Sequence, residues 1–77
     1  IYPNPVSDVF RVRVNSAVYD EVTVSVYDIS GKQMKSAPFF MNYGRNEIQV
    51  EATELPAGQY ILTIAYEDYT LSESFAK

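Results

Sequence analysis

Cysteine and histidine are both missing from this chain of 77 residues. Without cysteine no disulfide forms, so packing and hydrogen bonds alone must hold the fold; the compartment stays open, because secreted domains also exist without cystine. Without histidine the chain lacks the commonest general base near neutral pH and the commonest metal ligand. Together the two absences exclude Ser-His-Asp and Cys-His catalysis and zinc sites of the Cys/His kind. Long apolar runs are missing too. None approaches the ~20 residues that a membrane-spanning helix needs, and no charged segment followed by an apolar stretch forms a signal peptide. Positive charge is sparse, six Lys and Arg against ten Asp and Glu for a net charge of −4. Phosphate backbones repel such a surface, which excludes nucleic acid as a partner.

What the chain does have is apolar residues, 47% of the total, with seven Tyr and four Phe. A domain this small buries only about 60–65% of its surface, so it needs a dense core, and aromatics supply much area per residue. Apolar and polar residues alternate, which is the pattern of half-buried strands. Phe10, Val12 and Val14 alternate with Arg11 and Arg13; Val22, Val24 and Val26 alternate with Thr23 and Ser25. Ile48 and Val50 alternate with Glu47, Gln49 and Glu51, and Tyr60, Leu62 and Ile64 with Ile61, Thr63 and Ala65. Tyr69, Leu71 and Phe75 share a phase in the last segment. No stretch holds a helical period. The breaks fall at Asp28-Ile29-Ser30-Gly31, Tyr43-Gly44-Arg45-Asn46, Leu55-Pro56-Ala57-Gly58 and Glu67-Asp68, most of them with the Asp, Pro or Gly that turns select. Asn4-Pro5 reads as an edge or lead-in, since proline lacks the ladder N–H. About seven short antiparallel strands in one domain over residues 1–77 predict an all-β fold, a two-sheet sandwich rather than a closed barrel at this length.

Ten carboxylates remain as candidate chemistry. They fall in turns or on polar strand phases, so a solvated face accounts for them better than an acid–base pair. Asp20-Glu21 and Glu67-Asp68 lack the spacing of a calcium loop. No catalytic, cofactor or metal residue is expected. Tyr19, Tyr27, Tyr43, Tyr66 and Tyr69 could stack on sugars, but packing across strands is the simpler role. Asp28 shares the phase of Val22, Val24 and Val26, and its carboxylate should accept N–H groups from the turn that follows. Tyr60, just after the Pro56–Gly58 turn, is placed to lock that corner through its hydroxyl, as tyrosines do in Greek-key sandwiches.

Several motifs in order carry a resemblance. The chain opens Tyr2-Pro3-Asn4-Pro5, continues Val24-Ser25-Val26-Tyr27-Asp28-Ile29-Ser30-Gly31-Lys32, then Gly44-Arg45-Asn46, then Leu55-Pro56-Ala57-Gly58-Gln59-Tyr60-Ile61-Leu62, and ends Phe75-Ala76-Lys77. This resembles the type A C-terminal sorting domain of the type IX (Por) secretion system of Bacteroidetes, over nearly the whole chain. The resemblance implies an immunoglobulin-like β-sandwich that serves as a non-catalytic export signal at the end of a larger secreted protein. It implies transit through the periplasm to the cell surface or medium. The implied partners are the outer-membrane translocon with its shuttle protein and a cell-surface sortase that cuts upstream of the domain. The motif positions it marks are Tyr2, Pro3, Asn4, Pro5, Tyr27, Asp28, Gly31, Leu55, Pro56, Gly58 and Tyr60, and the end it expects to be read is Phe75, Ala76 and Lys77. Departures from the pattern are the lack of glycine at Glu67-Asp68, Ser74 in place of a lysine, the small Ala76, and Glu73 in the phase of Leu71 and Phe75. Free strand edges would permit self-association. The rival expectations are a carbohydrate-binding module and a passive structural sandwich.

Overall fold

Residues that alternate in sequence alternate in burial, and this builds the sheets. The computed structural model describes residues 1–2 and 5–77. Six strands follow one another: β1 (Val9–Ser16), β2 (Asp20–Asp28), β3 (Gln33–Met41), β4 (Gly44–Glu51), β5 (Gln59–Ala65) and β6 (Thr70–Ala76). All pairings are antiparallel, in two sheets of order β1-β4 and β3-β2-β5-β6. No helix occurs among the described residues. The chain crosses between sheets at β1 to β2, β3 to β4 and β4 to β5. That gives the immunoglobulin-like sandwich expected, with six strands among the described residues where about seven were predicted.

The N-terminal segment, expected as an edge or lead-in, makes two separate backbone contacts. Tyr2 and Arg11 exchange two backbone hydrogen bonds, of 3.0 and 2.9 Å, on the free edge of β1. Four residues later Val6 donates to the Ala76 carbonyl at 2.8 Å, on β6 of the other sheet. The segment therefore touches both sheets. Pro5 lies in a bend between the two contacts; Pro3 and Asn4 of the opening motif lie outside the described residues.

One core draws on both sheets. Phe10, Val12, Ile48 and Val50 come from the two-stranded sheet, and Val22, Val24, Val26, Tyr60, Leu62, Ile64 and Phe75 from the four-stranded one. Phe10 and Phe75 meet across the sandwich with ring centroids 4.6 Å apart, and Tyr60 stacks on Phe75 at 5.5 Å. Such aromatic pairs contribute about 0.5–1.5 kcal/mol beyond burial.

The last strand departs from its pattern. Tyr69 and Leu71 share the phase of Phe75, yet only Phe75 is buried; Leu71 is 42% exposed. The cause is the unequal width of the sheets. Two strands cannot cover four, so the first half of β6 has nothing opposite it. Glu73 at an inward position is tolerated for the same reason. β3 departs differently: no clear alternation marks it, Pro38 interrupts it, and it forms an edge, where the sheet tolerates proline.

A core this small leaves little margin, because a domain of this size rarely gains more than about 3–5 kcal/mol from it. Phe10→Ala, which removes a fully buried ring, should cost about 3–5 kcal/mol. It should therefore leave the chain largely unfolded in water, measured by loss of amide dispersion in a ¹H–¹⁵N spectrum and of cooperative urea unfolding.

Candidate recognition surface

The strand directions sort the motifs in space. β1 begins, and β2, β4 and β6 end, at one pole of the sandwich, where β5 also begins. The register pairs make this explicit: Asp28 opposes Tyr60, Gln59 opposes Ala76, and Val9 opposes Glu51. The Asp28 turn, the Leu55–Gly58 turn, Tyr60 and the Phe75–Lys77 end therefore share that pole, although they are scattered along the chain.

Asp28 caps its turn. One carboxylate oxygen, Oδ1, accepts the Ser30 N–H at 2.9 Å, the Ser30 hydroxyl at 2.6 Å and the Lys32 N–H at 3.0 Å. The backbone closes the same loop, with Gly31 N–H donating to the Asp28 carbonyl and Asp28 N–H to the Lys32 carbonyl, both at 3.0 Å. Gly31 takes φ of 90°, a conformation that favours glycine. The Ser30 hydroxyl above all, with the Lys32 amide, holds the Asp28 carboxyl below the usual carboxylate range. Tyr27 is half-buried and its hydroxyl donates to Gln33 Oε1 at 3.3 Å.

The second turn is held from two sides. The Tyr60 hydroxyl donates back to the Pro56 carbonyl, which is the corner lock expected of it. Leu55 is buried, and its N–H donates to the Ala52 carbonyl at 3.1 Å. Gly58 and Lys77 exchange backbone hydrogen bonds of 3.0 and 2.9 Å, which continues the β5–β6 ladder past Ala76. The Lys77 ammonium then reaches under the corner. It donates to the carbonyls of Ala52, of Thr53 at 3.3 Å and of Leu55 at 2.8 Å. Expected as the residue a receptor reads, Lys77 is half-buried in a ring of backbone carbonyls. Phe75 lies in the core, 2% exposed, and Ala76 accepts from Val6.

Tyr2 serves the outer face of the small sheet. Its hydroxyl donates to Glu47 at 2.9 Å, and the Arg13 guanidinium lies 4.8 Å from its ring centroid. Arg11 and Arg13 both pair with the Glu47 carboxylate, at 3.3 and 3.8 Å. These exposed groups fasten the N-terminal segment to β1.

Alternation points to core positions and passes over one residue, Ile29. It sits at the tip of the Asp28 turn and is 78% exposed, the most open large apolar side chain among the described residues. The signal was available as an isoleucine between Asp, Ser and Gly, where turns favour polar residues. At the opposite pole Tyr19 and Tyr43 are exposed, with centroids 6.0 Å apart, and Tyr19 packs edge-on against Phe40 at 4.7 Å. Tyr66 is buried and stacks on the exposed Tyr69 at 4.5 Å. Of the five tyrosines considered for sugar stacking, Tyr66 and Tyr27 are thus committed to internal contacts.

The family model described as secretion system C-terminal sorting domain matches residues 1–77. The chain belongs to that family. It is a sorting signal for type IX secretion, which implies export to the cell surface or the medium. No curated protein and no solved structure matches the sorting domain. Three of its motif segments make one corner, a capped turn, a locked turn and a terminal strand whose lysine ties the second turn down; Gly44-Arg45-Asn46, where β4 begins opposite Ser16, lies at the other pole.

Two outcomes test this account of the pole. Tyr60→Phe and Lys77→Met should each lower stability by about 1–2 kcal/mol, because each leaves partly buried carbonyls unpaired, as measured by urea denaturation; unchanged midpoints would contradict it. A carboxyl depressed in the folded state adds its full stability above its unfolded value, near 3.8, and loses it as pH falls through the lower folded value. The melting temperature of the wild type should therefore fall more steeply between about pH 5 and about pH 2 than that of Asp28→Asn.

Proposed function

We propose that the sorting signal is read at the motif pole, as the folded shape of that corner, and that the domain itself performs no catalysis. The observation that carries this is the convergence of three motif segments, the Asp28 turn, the Leu55–Gly58 turn with Tyr60, and the Phe75–Lys77 end, on one pole, together with Ile29, an apolar side chain held out into solvent by a rigid turn. A rigid, exposed apolar anchor beside polar groups is what a receptor pocket takes up at small ordering cost. Phe75 and Lys77 act in this account by building the surface. Ile29, Pro56, Ala57 and the outward backbone of the last strand are what the partner touches.

The partners are the outer-membrane translocon and the shuttle protein that serves it, met in the periplasm. A cell-surface sortase then cuts upstream of the domain. Residues 1–77 act as one C-terminal unit. Strand direction supports the arrangement: the N-terminal segment runs antiparallel to β1, from the aromatic pole toward the motif pole. Cargo attached before Ile1 would thus leave from the far end and keep the recognition corner clear.

Deleting Phe75–Lys77 would remove a core ring and the corner's lysine together, so loss of export by that truncation would not separate reading from folding. A surface change does. Residues 1–77 fused to a periplasmic fluorescent reporter, in a type IX-competent host, should carry it to the surface or medium, and a translocon-deleted strain should not. Ile29→Ser should cut that export several-fold while leaving the melting temperature of the isolated domain unchanged. Full export of Ile29→Ser would remove the turn tip from the recognition surface, and reporter held in the periplasm of both strains would overturn the proposal.

A further inference from the structure

A two-stranded sheet laid on a four-stranded one leaves two open sides, and the two are treated differently. On the side between β3 and β4, Lys35 spans the gap. Its ammonium donates to the Glu51 carbonyl at 2.6 Å and to the Glu54 carboxylate. Pro38 also breaks the β3 edge, a usual device against strand addition. A smaller cleft, of about 280 Å³, remains beside Lys35; between β1 and β6 the Glu73 side chain reaches the N-terminal segment rather than β1 itself. A cleft of about 440 Å³ lies there, with Val12, Val14, Leu62, Ile64 and Leu71 along it and Glu73 at its rim.

The β1 edge beside this cleft is half used. Arg11 gives both its N–H and its C=O to Tyr2. In an antiparallel pair these groups alternate sides residue by residue, so Arg13 and Asn15 point theirs to the same edge, away from β4. Among the described residues no strand or bridge meets them there. The Ile1 nitrogen stands 3.5 Å from the Glu73 carboxylate. The N-terminal segment runs antiparallel to β1, so a chain followed backwards from Ile1, at the cleft rim, heads along β1 toward Arg13 and Asn15.

We propose that, in any polypeptide that carries this domain behind it, the residues preceding Ile1 continue the Tyr2 pairing as a strand along β1 and roof the cleft. The register is fixed by Tyr2 opposite Arg11. Stepping one residue at a time puts Ile1 opposite Val12, the residue before it opposite Arg13, and the third residue before it opposite Asn15. Opposed residues share a face. The second residue before Ile1, opposite Val14, points into the cleft with Ile1 and is apolar; its two neighbours face outward, one beside Arg13 and one beside Asn15, and are polar. This inference goes beyond the export role and does not depend on it.

Amide hydrogen exchange tests it, on residues 1–77 alone and on the same residues preceded by the ten that stand before them in a polypeptide carrying the domain. The extension should slow exchange at Arg13 and Asn15 by at least about tenfold relative to Val12 and Val14, whose amides already face β4. Proline in place of the residue directly before Ile1 removes the donor facing Arg13 and should return both rates toward those of the unextended chain. Equal rates with and without the extension would overturn the proposal. Protection that rises with protein concentration in both forms alike would assign the edge to a second copy and overturn it as well. Reporter export is a separate measurement, so failure here leaves the reading of the motif pole untouched.

Discussion

The carbonyl groups of one turn set the terms for much of this fold. Between β4 and β5 the chain reverses and crosses sheets within a few residues, so Ala52, Thr53, Leu55 and Pro56 direct C=O groups away from the strands, and of the four Ala52 also accepts a turn amide, that of Leu55. Unpaired buried carbonyls are costly, and a sandwich with so small a core has little to set against them. Tyr60 and Lys77 answer this from two different strands. The Tyr60 ring also stacks on Phe75, which packs on Phe10. One chain of contacts thus runs from the turn, through the terminal strand, to the opposite sheet. The end of the chain is a structural part of the corner, and the corner is part of the core.

Beside that chain of contacts, each of the motif residues at the pole has a local task. Asp28, Gly31, Leu55, Pro56, Gly58 and Tyr60 each solve a backbone problem: a turn that needs a carboxylate cap, a φ of 90° at Gly31, a reversal that needs a hydroxyl. Their types follow from geometry, whatever binds the surface they make. Ile29 has no such role; its side chain is exposed, and this separates it from its neighbours in the turn.

Burial by strand phase was legible wherever both sheets are present. Val22, Val24 and Val26, the Phe10 and Val12 pair, Ile48 and Val50, and the Tyr60 series all lie inside as their alternation requires. The turn roles of Asp28 and Tyr60 were legible too, because each acts on backbone only a few residues away. Three features were not. Leu71 and Tyr69 have the inward phase but no opposing strand, and sheet width is a property of the whole fold. β3 is an edge with Pro38 in its middle, so packing imposes little alternation on it. Lys77 finds its carbonyls 22 to 25 residues away, and nothing local in a terminal lysine distinguishes a caged ammonium from a solvated one.

The shape of the sandwich carries a consequence for passage through an aperture. The backbone measures 34 × 22 × 16 Å. End-on, with the motif pole leading, the domain presents its two smaller dimensions, and side chains widen both. A channel that admits it folded must clear more than 22 Å in one direction. A narrower one would have to pull the strands apart, and the turn carbonyls now held by Tyr60 and Lys77 would be the groups left to find water. Folded passage keeps the address readable throughout transit; unfolded passage erases it at the threshold.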